Sequence, residues 1–178
     1  MSNKNKIVEK CIIELANGNS SYLDELYSLT KGDVYAYALS KSLPRSDAED
    51  IMQDTFMQIY KNARLYTPKG KPMSWIITIE TNLINRYYQL KKRTVNVDDE
   101  VLEATIVDDN DYLSSSINNR IINDILSSLN EDERQIIVLH IVSNMKFKDI
   151  SKLLNKPLST VLSKYNRAFK KLKDKRKE

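Results

Sequence analysis

The sequence predicts an all-α protein of two helical domains joined by an acidic flexible linker, with a helix-turn-helix in the C-terminal domain. Three observations carry that expectation. Only three glycines and four prolines punctuate 178 residues rich in Ile, Leu, Lys and Asn, which favours long helices over a turn-rich sheet protein. Apolar residues recur at helical spacing in both halves of the chain. Charge is segregated: residues 1–93 balance at +4, residues 94–117 at −7 without a Lys or Arg, and residues 118–178 at +7. The domain boundaries are placed at those three blocks. Two basic modules flanking an acidic connector point to a polyanionic partner.

In the first block, residues 7–16 and 21–30 read as short amphipathic helices separated by Asn17-Gly18-Asn19. Val34 to Leu43 is a third helix, rich in aromatics (Tyr35, Tyr37) and stopped by Pro44. Ser46 followed by Glu49 has the spacing of a capping box, opening a helix to about Leu65. Thr67 to Ser74 holds two prolines and a glycine and reads as a loop. Another helix starts near Trp75, a packing residue, and runs through Ile76, Ile79 and Leu83 to Lys91-Lys92-Arg93. Residues 94–117 show no sustained period, and read as a solvated, partly extended linker.

The second block opens on the stripe Ile121, Ile122, Ile125, Leu126 and Leu129. Asn130 with Glu133 forms a further capping-box pattern ahead of Ile136, Ile137, Leu139 and Ile141. Phe147, Ile150, Leu153 and Leu154 mark a short helix. After Asn155-Lys156-Pro157, the stripe Val161, Tyr165, Ala168 and Leu172 marks a longer, basic one. Two helices broken by a tight turn make a helix-turn-helix pattern.

Several function classes fall away. The single cysteine, Cys11, permits no internal disulfide and indicates a reducing compartment. The N-terminus has no apolar stretch suited to a signal peptide and no later segment approaches a membrane span, so a cytoplasmic protein without membrane insertion is expected. The only histidine, His140, lies in an apolar run and reads as a packing residue. With no Ser–His–Asp or Cys–His set and no Gly-rich phosphate loop, the chain is not expected to be an enzyme.

Two stripes carry chemistry. Asp47, Asp50 and Asp54 share one helical face beside the apolar Ile51, Thr55, Phe56 and Ile59. A core needs the second stripe and not the first. No His or Cys stands near these carboxylates, so neither a metal site nor any cofactor is expected. On the last helix, Ser159, Thr160, Ser163, Lys164, Asn166 and Arg167 lie off the apolar stripe, suited to base edges. Lys170, Lys171 and Lys173 follow, suited to phosphates.

The stretch LSSLNEDERQIIVLHIVSNMKFKDISKLLNKPLSTVLSKYNRAFKKLK resembles the promoter-binding C-terminal domain of bacterial RNA polymerase sigma factors. DAEDIMQDTFMQIYKNARLY followed by SWIITIETNLINRYYQLKKR resembles their core-binding and melting domain. Both in this order, across about 7–93 and 118–173, resemble the compact extracytoplasmic-function (ECF) type. The resemblance implies a non-catalytic specificity subunit that binds core RNA polymerase through the β′ clamp helices and β flap, and promoter DNA at its −35 and −10 elements. It places Asp50, Gln53, Asp54 and Phe56 toward the clamp helices. It places Lys69 and Lys71 on the loop that captures a flipped −10 base, Asn82 at a base edge, and Arg86, Lys91, Lys92 and Arg93 at phosphates. Ser159, Thr160, Ser163, Lys164, Asn166, Arg167, Lys170 and Lys171 become the −35 reader. An anti-sigma factor is a common partner in this family. The acidic connector reads equally as a solubilising spacer or as a segment threading into the polymerase.

Three departures stand out. Glu80, on the −10 helix, would repel DNA if it faced outward. Leu162 occupies a usually polar recognition-helix position, and either touches a thymine methyl or broadens the core stripe. Asn155-Lys156-Pro157 replaces a glycine-containing turn, and Asn tolerates the left-handed conformation required. The alternatives to a sigma factor are a stand-alone helix-turn-helix regulator and a protein-only adaptor. Neither accounts for an acidic stripe, a Pro/Gly loop and a basic helix in that order.

Overall fold

The computed structural model describes residues 3–94 and 128–175. The linker reading and the stripe Ile121–Leu126 lie outside the described residues. Within them the chain is helical throughout, with no strand. The first block holds α1 (Asn3–Ala16), α2 (Tyr22–Ser40), α3 (Arg45–Asn62) with a 3₁₀ turn at Ala63–Leu65, and α4 (Pro72–Thr94). The second holds α5 (Glu131–Ile137), running into a π-helical turn at Val138–Val142, then α6 (Phe147–Leu153) and α7 (Leu158–Lys175).

Three boundaries differ from the sequence reading. Residues 21–30 and 34–43 do not form two helices; α2 runs unbroken through Gly32. A glycine inside a helix costs about 1 kcal/mol relative to alanine. Here every residue from Val34 to Ser40 is buried, and tertiary burial at about 1.5–3 kcal/mol per large apolar side chain outweighs that cost. The buried Thr30 hydroxyl is satisfied within the helix, donating to the Leu26 carbonyl at 2.7 Å. The Ser46–Glu49 capping box is not formed: Pro44 is the N-cap, with no side-chain cap, and its carbonyl accepts from the Ala48 amide at 2.9 Å. Proline's fixed φ sets the entry two residues earlier. Likewise α4 starts at Pro72, whose missing N–H costs nothing at the first helical position.

Other expectations hold. Asn130 and Glu133 form a reciprocal capping box: the Asn130 side chain accepts from the Glu133 amide at 3.0 Å, and the Glu133 carboxylate accepts from the Asn130 amide at 3.2 Å. Asn155 adopts φ +50°, in the left-handed region, at the α6–α7 turn. That turn is closed by the Ser151 hydroxyl donating to the Lys156 carbonyl at 2.6 Å. His140 packs as expected. Its ring stacks on Phe147 at 4.0 Å between centroids, meets Tyr165 edge-on, and its Nδ1 lies 2.8 Å from the Met145 carbonyl. Trp75 packs against Tyr66 with ring centroids 5.1 Å apart.

The first core joins Val8, Cys11, Ile12 and Leu15 of α1 to Leu26 and Val34 of α2, Ile51, Phe56 and Ile59 of α3, and Ile76, Ile77 and Ile84 of α4. It continues into Ile136, Ile137, Leu139, Ile150, Val161 and Ala168 of the second block. The blocks are docked: the π-helical turn and α5 lie on α2, and α6 touches α4. Among the described residues, polar contacts also cross the junction. Arg134 donates to the Ser42 hydroxyl at 2.7 Å, and the Lys71 ammonium pairs with Asp149 at 2.5 Å.

Candidate polymerase and nucleic-acid interfaces

The acidic stripe lines a groove of about 370 Å³ between α3 and α4. Asp47, Asp50, Ile51 and Asp54 form one wall, and Leu83, Arg86, Tyr87 and Leu90 the other. Asp47 is committed inward, accepting a hydrogen bond from the Tyr87 hydroxyl. Burial first, and then that carboxylate, push the Tyr87 phenol up to about 12. Asp50, Gln53 and Asp54 are exposed and free to meet a partner. Phe56 is not. It is 5 % exposed and packs edge-on against Tyr27 at 4.8 Å, so it anchors α3 to α2 instead of facing a partner. Its place among Ile51, Thr55 and Ile59 on the apolar stripe is the reason: that whole stripe is spent on the core. Arg86, exposed on α4, lines the same groove as the carboxylates, apart from the basic helix end at Lys91, Lys92 and Arg93.

The loop before α4 is held at both ends. Glu9 on α1 receives the Tyr66 hydroxyl at 2.7 Å and the Gly70 amide at 2.9 Å. Gly70 sits at φ +67°, a conformation that suits glycine. Lys69 is exposed, whereas the Lys71 ammonium is engaged by Asp149 of α6. Along α4, Asn82 is exposed and points away from the core. Lys91 lies over the Tyr87 ring at 5.5 Å.

Glu80 does not repel a ligand from the surface, because it is 0 % exposed. Among the described residues, neither carboxyl oxygen has a hydrogen-bond partner of full geometry. Burial raises its pKa well above the ordinary carboxylate range; nearby Asp33 adds to this, and the Ala38 backbone and Lys41 offset it only in part. Asp33, itself 4 % exposed and paired with Lys4, is raised by burial as well.

On α7, Ser159, Ser163, Asn166, Arg167 and Lys170 are exposed, and Thr160 is half-buried. Leu162 is 38 % exposed and so lies on the open face, not in the core stripe. Two expected phosphate or base contacts are instead tied down within the block. Lys164 pairs with Asp132 at 2.8 Å and Lys171 with Glu133 at 2.8 Å. The first turn of α5, Glu131-Asp132-Glu133, lies against α7, and both of these α7 lysines reach it. Lys164 stabilises ionised Asp132 and lowers its pKa, and Lys156 shares the same carboxylate at 3.1 Å. Glu133 is lowered too: burial opposes ionisation, but the Lys171 pair and the Asn130 amide together outweigh it.

The sequence reading passed over Glu9, Tyr87, Asp132 and Asp149. Each acts on a residue 32 or more positions away, beyond the reach of any periodicity or capping pattern. Among the described residues no group of three or more His, Cys, Asp or Glu is placed to hold a metal, and no helix is long and apolar enough to cross a membrane.

Comparison with known proteins agrees with this layout. Residues 26–94 match Sigma-70 region 2, and residues 119–172 match Sigma-70 region 4. The chain is 25 % identical to the ECF RNA polymerase sigma factor SigM of Bacillus subtilis, over 85 % of this chain and 93 % of that protein. It is 24 % identical to the ECF RNA polymerase sigma-E factor of Haemophilus influenzae, over 96 % of each. Two solved structures share the fold. CnrH in complex with the cytosolic domain of CnrY aligns with TM-score 0.62 and 19 % identity over 94 % of this chain and 96 % of that one. The sigma factor RpoE of Bartonella quintana, in complex with the anti-sigma factor NepR, aligns with TM-score 0.67 and 22 % identity over 87 % and 96 %. Two sigma-70 regions in order, on an all-α frame, across most of the chain, decide the matter: the chain belongs to the RNA polymerase sigma factors of the extracytoplasmic-function type, which direct promoter-specific transcription.

Proposed function

We propose that residues 1–93 dock on the β′ clamp helices and read and melt the −10 element, that residues 94–117 connect, and that residues 118–178 read the −35 element and meet the β flap. The observation that carries this reading is the separation of exposed chemistry between the two blocks. Asp50, Gln53 and Asp54 offer exposed acceptors on the first, and Ser159, Ser163, Asn166, Arg167 and Lys170 offer an exposed donor-rich face on the second. Carboxylates meeting a basic helical hairpin steer docking and set its register. A mixed Ser/Asn/Arg face near a helix N-terminus suits base edges in a major groove. Phe56 is withdrawn from the docking set and serves as its support. Lys164 and Lys171 set the angle of α7, with Arg167 and Lys170 left to the DNA. Lys69 and Asn82, exposed on the loop and on α4, and Lys91 to Arg93 at its end, form the −10 surface. Arg86 is assigned to the rim of the docking groove as well as to DNA.

In this reading the protein is a non-catalytic, cytoplasmic subunit that needs no metal or cofactor. An anti-sigma factor is a fitting partner, since the structure of the Bartonella sigma factor contains one. The test is run-off transcription from a promoter library by bacterial core enzyme with and without this chain. Promoter-dependent transcripts are expected only with it. Charge reversal at Asp50 and Asp54 to Lys should abolish core capture in a pull-down while circular dichroism stays unchanged. A chain that binds promoter DNA but never core enzyme would instead be a stand-alone helix-turn-helix regulator.

A further inference from the structure

The loop Tyr66–Lys71 is shaped by a residue from a part of the chain that the region 2 match, beginning at residue 26, does not include. Glu9 stands half-buried on α1, and a single oxygen, Oε1, accepts from both the Tyr66 hydroxyl and the Gly70 amide, 57 and 61 positions along the chain. These two donors bracket the exposed Thr67, Pro68 and Lys69. The Tyr66 ring is fixed from its other side by Trp75, the first-turn aromatic of α4. Gly70 at φ +67° lets the chain turn its amide back toward α1. One carboxylate therefore closes the loop at both ends and ties it to the helix that follows.

We propose that Glu9 is a positioning residue for promoter reading, holding the Tyr66–Lys71 loop in the shape that receives the −10 strand. The proposal rests on the assignment of this loop to the −10 element. Its physical content is preorganisation: a loop ordered before binding loses less freedom when the strand arrives, so more of the contact energy appears as affinity and base preference. Hydrogen bonds to a charged acceptor are the stronger kind, and the geometry requires only an oxygen at the Oε1 position. Burial, followed by the Glu9 hydrogen bond and charge, raises the Tyr66 phenol, so the hydroxyl stays protonated and remains a donor across the whole working pH range.

That requirement separates positioning from simple charge. Glu9→Gln keeps an acceptor oxygen, Glu9→Ala removes it, and Tyr66→Phe removes one of the two donors while keeping the ring. The full-length variants are assembled with bacterial core enzyme and used to transcribe a promoter library randomised across the −10 region, with transcripts counted by sequencing. Glu9→Ala should lower transcription from the wild-type's preferred −10 sequences by roughly tenfold and flatten the base preference, the scale of losing about 1.4 kcal/mol of selective binding. Glu9→Gln should stay within about twofold, and Tyr66→Phe should fall between. Core-enzyme affinity should be unchanged in all three. Hydrogen exchange of the Gly70 amide in the free chain should accelerate in Glu9→Ala and much less in Glu9→Gln. Glu9→Ala with wild-type preference would overturn the proposal, as would Glu9→Gln as impaired as Glu9→Ala, which would point to charge. If the wild type itself shows no −10 preference, the assignment of the loop fails and the proposal fails with it. Preference retained by the wild type and by Glu9→Ala alike sinks the proposal alone.

Discussion

Glu80 offers the sharpest test of how this fold is held. Its carboxyl is fully buried, both oxygens lack hydrogen-bond partners of full geometry among the described residues, and burial raises its pKa well above the unfolded value of 4.5. The sign follows from linkage. Above pH 4.5 the unfolded chain releases this proton while the folded chain keeps it, so the native state binds more protons and stability falls as pH rises. The limiting slope for one proton is about 1.4 kcal/mol per pH unit, and it persists until the pH reaches the folded pKa. The groups facing the carboxyl are Asp33 and Tyr37 on α2, and Lys41 at the C-cap of that helix. Asp33 shifts in the same direction and adds its own slope, so the wild-type curve alone does not isolate Glu80. The difference between wild type and Glu80→Gln does. Urea unfolding at pH 5, 6, 7 and 8 should show wild type losing stability relative to Glu80→Gln as the pH rises, until the folded pKa is reached. Glu80→Met, which removes an unpartnered buried polar group worth about 1–3 kcal/mol, should be more stable than wild type, with a margin that widens as the pH rises above 4.5. Parallel pH profiles for wild type and Glu80→Gln would refute the reasoning, because they require equal proton uptake by Glu80 in both states.

Other outcomes follow from single contacts. Cys11 is 0 % exposed and its thiol is pushed up to about 11 by burial and then by Glu25, so an aromatic disulfide reagent should label it only in denaturant; prompt native labelling would contradict its place in the core. Asn155→Ala, at φ +50°, should cost about 1–2 kcal/mol in a urea melt, while Asn155→Gly should cost little or nothing. Asp149→Asn frees the Lys71 ammonium at the cost of a partly exposed pair, worth at most about 1 kcal/mol. It should tighten binding of single-stranded DNA at low salt, with a gain that shrinks as salt screens the contact, as measured by fluorescence anisotropy.

What was legible in the sequence is what is local. The Asn130–Glu133 capping box, the left-handed Asn155 and the stripes of α3 and α7 each depend on residues within a few positions of one another. The Ser46 box failed on an equally local ground, because Pro44 imposes its own helix entry and the serine pattern carries no information about it. The break expected between residues 30 and 34 failed for a tertiary reason. Gly32 weakens a helix in isolation, but the second block covers the end of α2 and buries residues that a lone amphipathic helix would expose. Glu80 was legible as an oddity and not as a buried group. Its neighbours Ile76, Ile77 and Ile84 define an inward face, and position 80 falls on that same face at helical spacing. Trusting the spacing over the charge would have placed it correctly.

Charge segregation along the chain is only half of the electrostatic design. Of the cations assigned to DNA by pattern, Lys71, Lys164 and Lys171 are each met by a carboxylate of α5 or α6. These acids are few in a basic block, and they are placed where they orient structure: Asp132 and Glu133 set α7 against α5, and Asp149 ties the second block to the loop of the first. The consequence is an asymmetry between the two surfaces proposed to read DNA. Among the described residues, α7 packs on its own block, and its Ser159, Ser163, Asn166 and Arg167 remain exposed. The loop Tyr66–Lys71, by contrast, has one of its two lysines occupied by the neighbouring block. A duplex contact through α7 is compatible with the docked arrangement, whereas full use of the loop requires Lys71 to exchange Asp149 for a phosphate. Since that pair is half-exposed at its lysine end, a polyanion has direct access to the exchange, and the junction is held mainly by the apolar contacts of α2 with the π-helical turn.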